Sequence, residues 1–569
     1  MTQTDQNSGV TRSKLAALLG FALALFYTTT VQKWAFFDDD YGAIYTATTT
    51  KTWNDVKDFF GKRHNDQTIL PSNLLEADQA FFTSSTFRPL TLVWYWLVSK
   101  ILDPYQPFHY YLFSIFLHIL ATLLLFAAFT NYLPPTLAFW AALLFGIFPF
   151  NGKFLGRLVI EPYSLCLILN LMGYFWAQAY FTRYHLINLI SAAICFLGSI
   201  LMHEISYSYL LLYGAVLYSA RLKDSSWPKS IFGTIADIIP FLAVLAICVF
   251  AKHTAYTQGS LGLLEMANYA LHKLKFRLYD LVTLVVDTLG YSPIPGGNAI
   301  LKSSLLLIDT ILFLSLLIIA GNITALALIC LFATQCWPSL LVMHVSRYLY
   351  FALPYLLLAL FIMYNRLQNS SIEQILKILL QGKYFIILLA GFFAVRNDLA
   401  YFGKKFCFVD DAIQELSDKL IEQPDNTSLC FAGLPFDYFP VSGLAQAIWF
   451  YTKDNSRKIF YDPLHAVRFF KIDFLPDGNF CKVSHSKRNQ LLRIRTNPKT
   501  SAYILITNPF GEKVPCSTGT LDYIKTNLAN PSQTDRSATD IKIKLHEKFS
   551  PFKLVTWDNK QRSFRFLKP

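Results

Sequence analysis

The sequence predicts a polytopic α-helical membrane protein carrying a C-terminal soluble α/β domain. Three observations predict it. Of the 569 residues, 54% are hydrophobic, 16% aromatic and only 15% charged, where a soluble chain is normally about 25% charged. Several apolar stretches approach the roughly 20 residues that a helix needs to cross a bilayer. From about residue 397 the pattern changes to short apolar runs, turn residues and frequent charge.

About eleven spans are predicted, at 14–32, 108–130, 135–150, 163–181, 186–202, 205–220, 231–251, 303–320, 322–340, 348–364 and 383–396. The first has a basic flank in Arg12 and Lys14 but no small-x-small cleavage site after it, so it reads as a signal anchor that stays. Residues 88–102 are too short and interrupted for a span. Their aromatic, amphipathic run predicts a helix lying in the interface. With the N-terminus in the cytoplasm, Arg183, then Arg221, Lys223 and Lys229, then Arg366 and Lys377 fall in cytoplasmic loops, as positive charge prefers. The opposite side then holds loop 33–107, loop 151–162, the His203-Glu204 turn, loop 252–302, the Arg347 turn and everything after 397. The chain thus divides into a membrane domain, 1–396, and an extracytoplasmic domain, 397–569. In the second, runs beginning at Ser428, Lys458, Ala502 and Phe552 predict strands, and 412–422 and 442–452 predict helices.

The formal net charge of +13 points to anionic partners, with lipid headgroups of the bilayer the simplest. No basic run or recognition motif suggests nucleic acid. The nine cysteines form no CxxC pair and have no histidines at metal spacing. Cys166, Cys195, Cys248, Cys330 and Cys336 lie in apolar segments and read as small core residues. Among Cys430, Cys481 and Cys516, one disulfide is open, with its connectivity undetermined.

Asp38, Asp39 and Asp40 follow the first span directly. An acidic cluster there can be a solvated cap. The aromatic flank and Tyr41 instead keep it near the interface, and adjacent carboxylates disfavour one another's ionisation, which suits a general base. In Phe87-Arg88-Pro89-Leu90, Pro89 fits a first helical turn and Arg88 stands just before it. Arg88 is either an interfacial anchor or a phosphate contact by a planar, permanent cation. His109 and His118 are nine residues apart, read as interface or core histidines, and suggest no metal. Loop 151–162 holds Lys153, Arg157 and Glu161. Glu161 opens a helix, where a carboxylate complements the dipole; the sharper alternative is a second active-site acid. His203-Glu204 is an ionisable pair at a membrane boundary, and Ser346-Arg347-Tyr348 puts an arginine at the start of a span.

Taken in order, these motifs resemble the GT-C superfamily of polyprenyl-phosphate-sugar glycosyltransferases. The nearest likeness is to bacterial relatives of the O-mannosyltransferase branch that includes the transmembrane-and-TPR proteins. The resemblance covers roughly residues 14–396 and implies a GT-C-like membrane domain with interfacial helices in its first outer loop. It implies an inverting sugar transfer from a polyprenyl-phosphate donor on the extracytoplasmic face of a bacterial inner membrane. It makes Asp39 the base, with Asp38 and Asp40 beside it and Glu161 in the same site. Arg347, with Arg88 and Tyr348, becomes the contact for the donor phosphate, and His203, Glu204 and His109 are further candidates. The chain departs from that pattern at His203-Glu204, where relatives have Lys-Glu, and at Phe148-Pro149, where they have His-Pro. It has no TPR array, so the sugar and the acceptor stay open. No cofactor is required; a divalent metal enters only if several acids cluster. The competing readings are a transporter or flippase for lipid-linked saccharides, which would favour internal repeats and broken helices, and an O-antigen polymerase or ligase.

Overall fold

A computed structural model gives the fold. It describes residues 3–30, 33–37, 39–61, 88–153, 155, 157–158, 161–183, 185–222, 227–255, 299–336, 349–367 and 371–422, then the C-terminal segments 428–432, 441–452, 459–461, 470–474, 480–485, 493–496, 503–507, 513–517, 521–523, 541–545, 552–558 and 562–567. The helices, in order, are α1 (Gln3–Thr28), α2 (Asp39–Thr49), α3 (Trp53–Gly61), α4 (Pro89–Ile101), α5 (Pro107–Phe129), α6 (Pro135–Gly146), α7 (Glu161–Arg183), α8 (Leu186–Met202), α9 (Tyr209–Arg221), α10 (Trp227–Ala255), α11 (Ala299–Ala320), α12 (Ile323–Gln335), α13 (Leu349–Arg366), α14 (Ser371–Ile421) and α15 (Val441–Thr452). Single 3₁₀ turns at Pro149–Lys153 and Glu204–Ser208 precede α7 and α9.

Among the described residues, six helical segments are long and apolar enough to cross a membrane: Pro107–Phe129, Pro135–Gly152, Glu161–Arg183, Lys229–Ala251, Leu349–Arg366 and Ser371–Ile421. Three shorter apolar helices, Leu186–Met202, Leu307–Ala320 and Ile323–Gln335, accompany them. The protein is therefore mostly helical and reads as spanning a membrane several times. The predicted span at 205–220 divides into a 3₁₀ turn and α9. The predicted span at 383–396 and the predicted helix at 412–422 are parts of one continuous helix, α14, of 51 residues.

Local sequence explains several starts. Proline stands in the first turn of α4, α5 and α6, where its missing N–H is no loss and its fixed φ suits a helix. Asn322 caps α12 by accepting from the Ala325 N–H at 2.6 Å. In the bundle, α1 packs on α5 and α6. A Cβ at Gly146 would meet both Leu23 methyls at 3.0 Å, so glycine permits this approach. His118, Tyr27 and Tyr350 fill the space beside it, all fully buried. Both His118 nitrogens are engaged: Nε2 with the Gly146 carbonyl at 2.9 Å and Nδ1 with the Tyr350 hydroxyl at 2.9 Å. His118 is thus a satisfied core histidine. His109, on the first turn of α5, is exposed.

Beyond α14 the chain turns to strands. β1 (Ser428–Ala432), β2 (Ile459–Tyr461), β10 (Phe552–Asp558) and β11 (Ser563–Leu567) form a sheet in the order β11-β10-β1-β2. β1 runs parallel to both β2 and β10, and β10 pairs antiparallel with β11. Arg562, in the β10–β11 turn, lies over the Phe408 ring of α14 at 6.0 Å. The remaining strands, β3 (Phe470–Phe474), β4 (Phe480–His485), β5 (Arg493–Thr496), β6 (Tyr503–Thr507), β7 (Lys513–Ser517), β8 (Leu521–Tyr523) and β9 (Ile541–Leu545), form antiparallel sheets of order β3-β4-β9-β8 and β5-β6-β7. What positions the site is α15, which packs on α2 and on α14.

Candidate active site

The acidic run opens α2. The Asp40 N–H donates to the Phe37 carbonyl at 3.2 Å, and the Phe37 N–H donates back to Asp40 Oδ2 at 3.3 Å. This reciprocal pair ties off the helix start as a capping box does. The Asp40 carboxylate is buried and lies 3.9 Å from Arg157 Nε. Arg157 also donates through Nη2 to the Phe37 carbonyl at 3.3 Å, and its guanidinium stands 5.6 Å from the Phe37 ring centroid. Lys405 of α14 approaches the same ring, at 5.1 Å. Asp39 occupies the first residue of α2, its side chain lying outside the described atoms; Asp38, Arg347 and Tyr348 lie outside the described residues.

Glu161 opens α7 and is fully buried. One oxygen, Oε2, accepts from the Trp94 indole N–H at 2.8 Å. The other, Oε1, has no hydrogen-bond partner among the described residues. Trp94 belongs to α4 and is steadied by stacking on Phe113 at 5.8 Å. Asp40 contributes to the electrostatic environment of Glu161, and its ion-pair partner Arg157 lies in the loop that leads to Glu161. A buried carboxylate oxygen without a donor is costly, and its natural complement is a donor brought by a ligand, such as a sugar hydroxyl.

Arg88 stands at the head of α4 in a two-pronged pair with Glu204, Nε to Oε2 at 2.7 Å and Nη2 to Oε1 at 2.8 Å. Burial alone would raise the Glu204 carboxyl; the Arg88 charge and the hydrogen bonds that Arg88 donates outweigh it and hold Glu204 well below the usual carboxylate range. His203 Nδ1 accepts from the Ile205 N–H at 3.2 Å, which leaves the ring proton on Nε2, facing the Tyr163 hydroxyl at 3.1 Å. His203 therefore caps the 3₁₀ turn as a neutral ring. The Thr91 hydroxyl donates to the Met202 carbonyl at 2.7 Å, which pins α4 to the end of α8.

The helix α4 connects the acids of two loops: its Trp94 donates to Glu161, and Arg88 at its head pairs with Glu204 beside His203. His109 makes no described contact with it. Sequence reasoning gave no role to Trp94, Phe37, Lys405 or Arg157. Arg157 carried the one readable signal, a cation four residues before Glu161 in a short loop. Among the described residues, no three metal-ligating side chains converge.

Fold and site together define a multi-span helical protein with a buried acid–arginine site where two inter-helix loops meet. No known protein-family model matches the chain, and no curated protein matches it. Among solved structures, it is similar to the crystal structure of ArnT from Cupriavidus metallidurans bound to undecaprenyl phosphate, with 10% identity and a TM-score of 0.43, over 78% of this chain and 85% of that one.

Proposed function

We propose that the protein is a membrane glycosyltransferase of the GT-C type, which moves a sugar from a polyprenyl-phosphate donor to an acceptor hydroxyl on the extracytoplasmic face. The observation that carries this reading is the pairing of buried Asp40 with Arg157, a few residues before the buried Glu161, which joins two loops that the charge pattern assigns to one side of the membrane. A transporter needs a path; a group-transfer enzyme needs carboxylates and a cation gathered at one point.

In this reading Asp39 is the general base. Asp40, one residue on, is occupied with the Phe37 N–H and Arg157 and fixes the first turn of α2. Asp39 takes the proton of the acceptor hydroxyl as that oxygen attacks the anomeric carbon. The bond to the phosphate oxygen breaks in the same displacement, so the configuration inverts. Glu161 Oε1 accepts a hydrogen bond from a sugar or acceptor hydroxyl and orients it. Arg347, with Arg88 the second candidate of the sequence reading, stabilises the leaving phosphate by charge-assisted hydrogen bonds. No metal is required by these steps.

The test is transfer from a polyprenyl-phosphate sugar in vesicles holding the full chain. Asp39→Asn is expected to lower the rate by about 10²- to 10⁴-fold, as loss of a general base does. Glu161→Gln is expected to raise KM and lower kcat together. Both variants should insert and unfold as wild type does. Unchanged transfer in both would overturn the assignment.

A further inference from the structure

The acids are bracketed by two aromatic residues, Phe37 and Tyr41, and both are held by α14. Phe37 stacks on Phe406 with ring centroids 4.6 Å apart and planes at 11°. Tyr41 donates its hydroxyl hydrogen bond to Asp410 Oδ1. Phe406 and Asp410 are four residues apart on one helix, so they lie on the same face one turn apart. A second donor reaches the same Asp410 oxygen: the hydroxyl of Tyr451, from α15. The rest of α15 closes over α2 from the same side. Trp449 meets Tyr45 edge-on at 4.2 Å, and Phe450 meets Tyr41 at 5.8 Å and Phe36 at 6.0 Å.

Apolar contacts alone would let α2 turn about its axis, because they have no preferred direction. A carboxylate that accepts from two hydroxyls at once has one. We propose that Asp410 is a positioning residue: its carboxylate joins Tyr41 of the acid-bearing helix to Tyr451 of the C-terminal region and so fixes the rotation of α2 and the aim of its acids. The part of the chain beyond α14 is then a component of the catalytic machinery and not an appended module. This inference rests on the reading of α2 as the helix that carries the base. It involves no change of covalent bonds, and Asp410 acts only through Tyr41.

The experiment uses the full-length protein in lipid nanodiscs with three variants: Asp410→Asn, Tyr451→Phe, which keeps the ring, and Asp411→Asn, an exposed neighbour on the same helix. Two quantities are read: amide exchange across Asp39–Thr49, and kcat separately from KM for transfer. Asp410→Asn is expected to speed exchange in α2 by about tenfold, with α5 unchanged, as expected for a local opening. It should also lower kcat by about tenfold or more while KM for the donor stays within about twofold, since small misplacement acts on the reacting geometry. Tyr451→Phe should move both quantities in the same direction, and Asp411→Asn neither. Unchanged exchange in α2 for both Asp410→Asn and Tyr451→Phe overturns the proposal. So does faster exchange spread through α5, or faster α2 exchange with kcat untouched; the first marks a general loss of stability and the second a passive latch. If Glu161→Gln abolishes transfer while Asp410→Asn leaves exchange and kcat at wild type, the positioning role fails and the proposed function stands. If the wild-type chain transfers no sugar, the proposed function fails, and α2 exchange alone decides whether Asp410 holds that helix.

Discussion

At the scale of single residues, the pair Arg88–Glu204 is the clearest case of a charge kept in place by geometry. Its two hydrogen bonds are short and parallel, and both side chains are mostly covered, at 14% and 26% exposure. Removing the arginine would strand a carboxylate in a site that cannot hydrate it fully. Arg88→Ala is therefore expected to destabilise the protein by about 2–3 kcal/mol, toward the low end for a pair that keeps some access to solvent. Denaturant unfolding in detergent measures it. The pH dependence has a definite sign. Glu204 is held below its ordinary value in the folded state, so its contribution is complete above the unfolded carboxylate pKa, near 4.5, and fades as pH falls toward the folded value. The stability difference between wild type and Glu204→Gln should hold from pH 7 to about pH 5 and shrink below that. A difference that grows with acid would refute this account of Glu204.

At the scale of elements, glycines on α14 make a matched pair. A Cβ on Gly391 would meet the Ile147 carbonyl oxygen at 2.1 Å, a backbone atom that cannot turn aside. A Cβ on Gly382, in the same helix, meets nothing within 4 Å. Gly391→Ala should push α14 off the segment that leads into the 3₁₀ turn at Pro149–Lys153 and cost about 1–3 kcal/mol, as overpacking does. Gly382→Ala should be neutral or stabilise by up to about 1 kcal/mol, because alanine is the better helix former. Thermal unfolding of both variants side by side checks the contrast; equal effects would refute the close crossing. The crossing also shows which parts of the fold were legible. Span-length apolar runs and the proline start of α4 depend on neighbours in sequence, and they could be read. The continuity of α14 could not. Arg396, Lys404, Lys405, Asp410 and Asp411 break its apolar run, so a hydropathy reading ends there, while none of these residues breaks a helix. The site divides in the same way. Asp40, Glu161 and Arg88 announce themselves by type and place. Their partners do not: Trp94 is 67 positions from Glu161, Glu204 is 116 from Arg88, and Asp410 is 369 from Tyr41. Periodicity reports contacts within a helix or along a strand and is silent on pairs of that separation.

At the scale of the whole molecule, one ion pair ties distant parts of the bundle. Asp309 of α11 and Lys383 of α14 meet at 2.7 Å, with side-chain exposures of 2% and 17%. Both sit within apolar helices, where ionisable groups are expensive and are kept only when paired. The second Asp309 oxygen is buried and has no hydrogen-bond partner among the described residues, where Lys383 is the charge that compensates it. The pair is better viewed as a device for specificity than for stability: two helices remote in sequence can pack in many rotations, and one buried pair selects among them. Three variants separate the alternatives. Asp309→Leu should leave the ammonium of Lys383 uncompensated and cost about 3–5 kcal/mol. Lys383→Met should do the same to the carboxylate, whose unpartnered oxygen makes it the less forgiving of the two. The double variant Asp309→Leu/Lys383→Met, which removes both charges, should recover most of that loss, since an apolar pair of similar volume is often neutral relative to the ion pair. Unfolding measured for all four proteins gives the coupling directly. Additive losses would mean that the two side chains act independently and that the packing of α11 on α14 is set elsewhere.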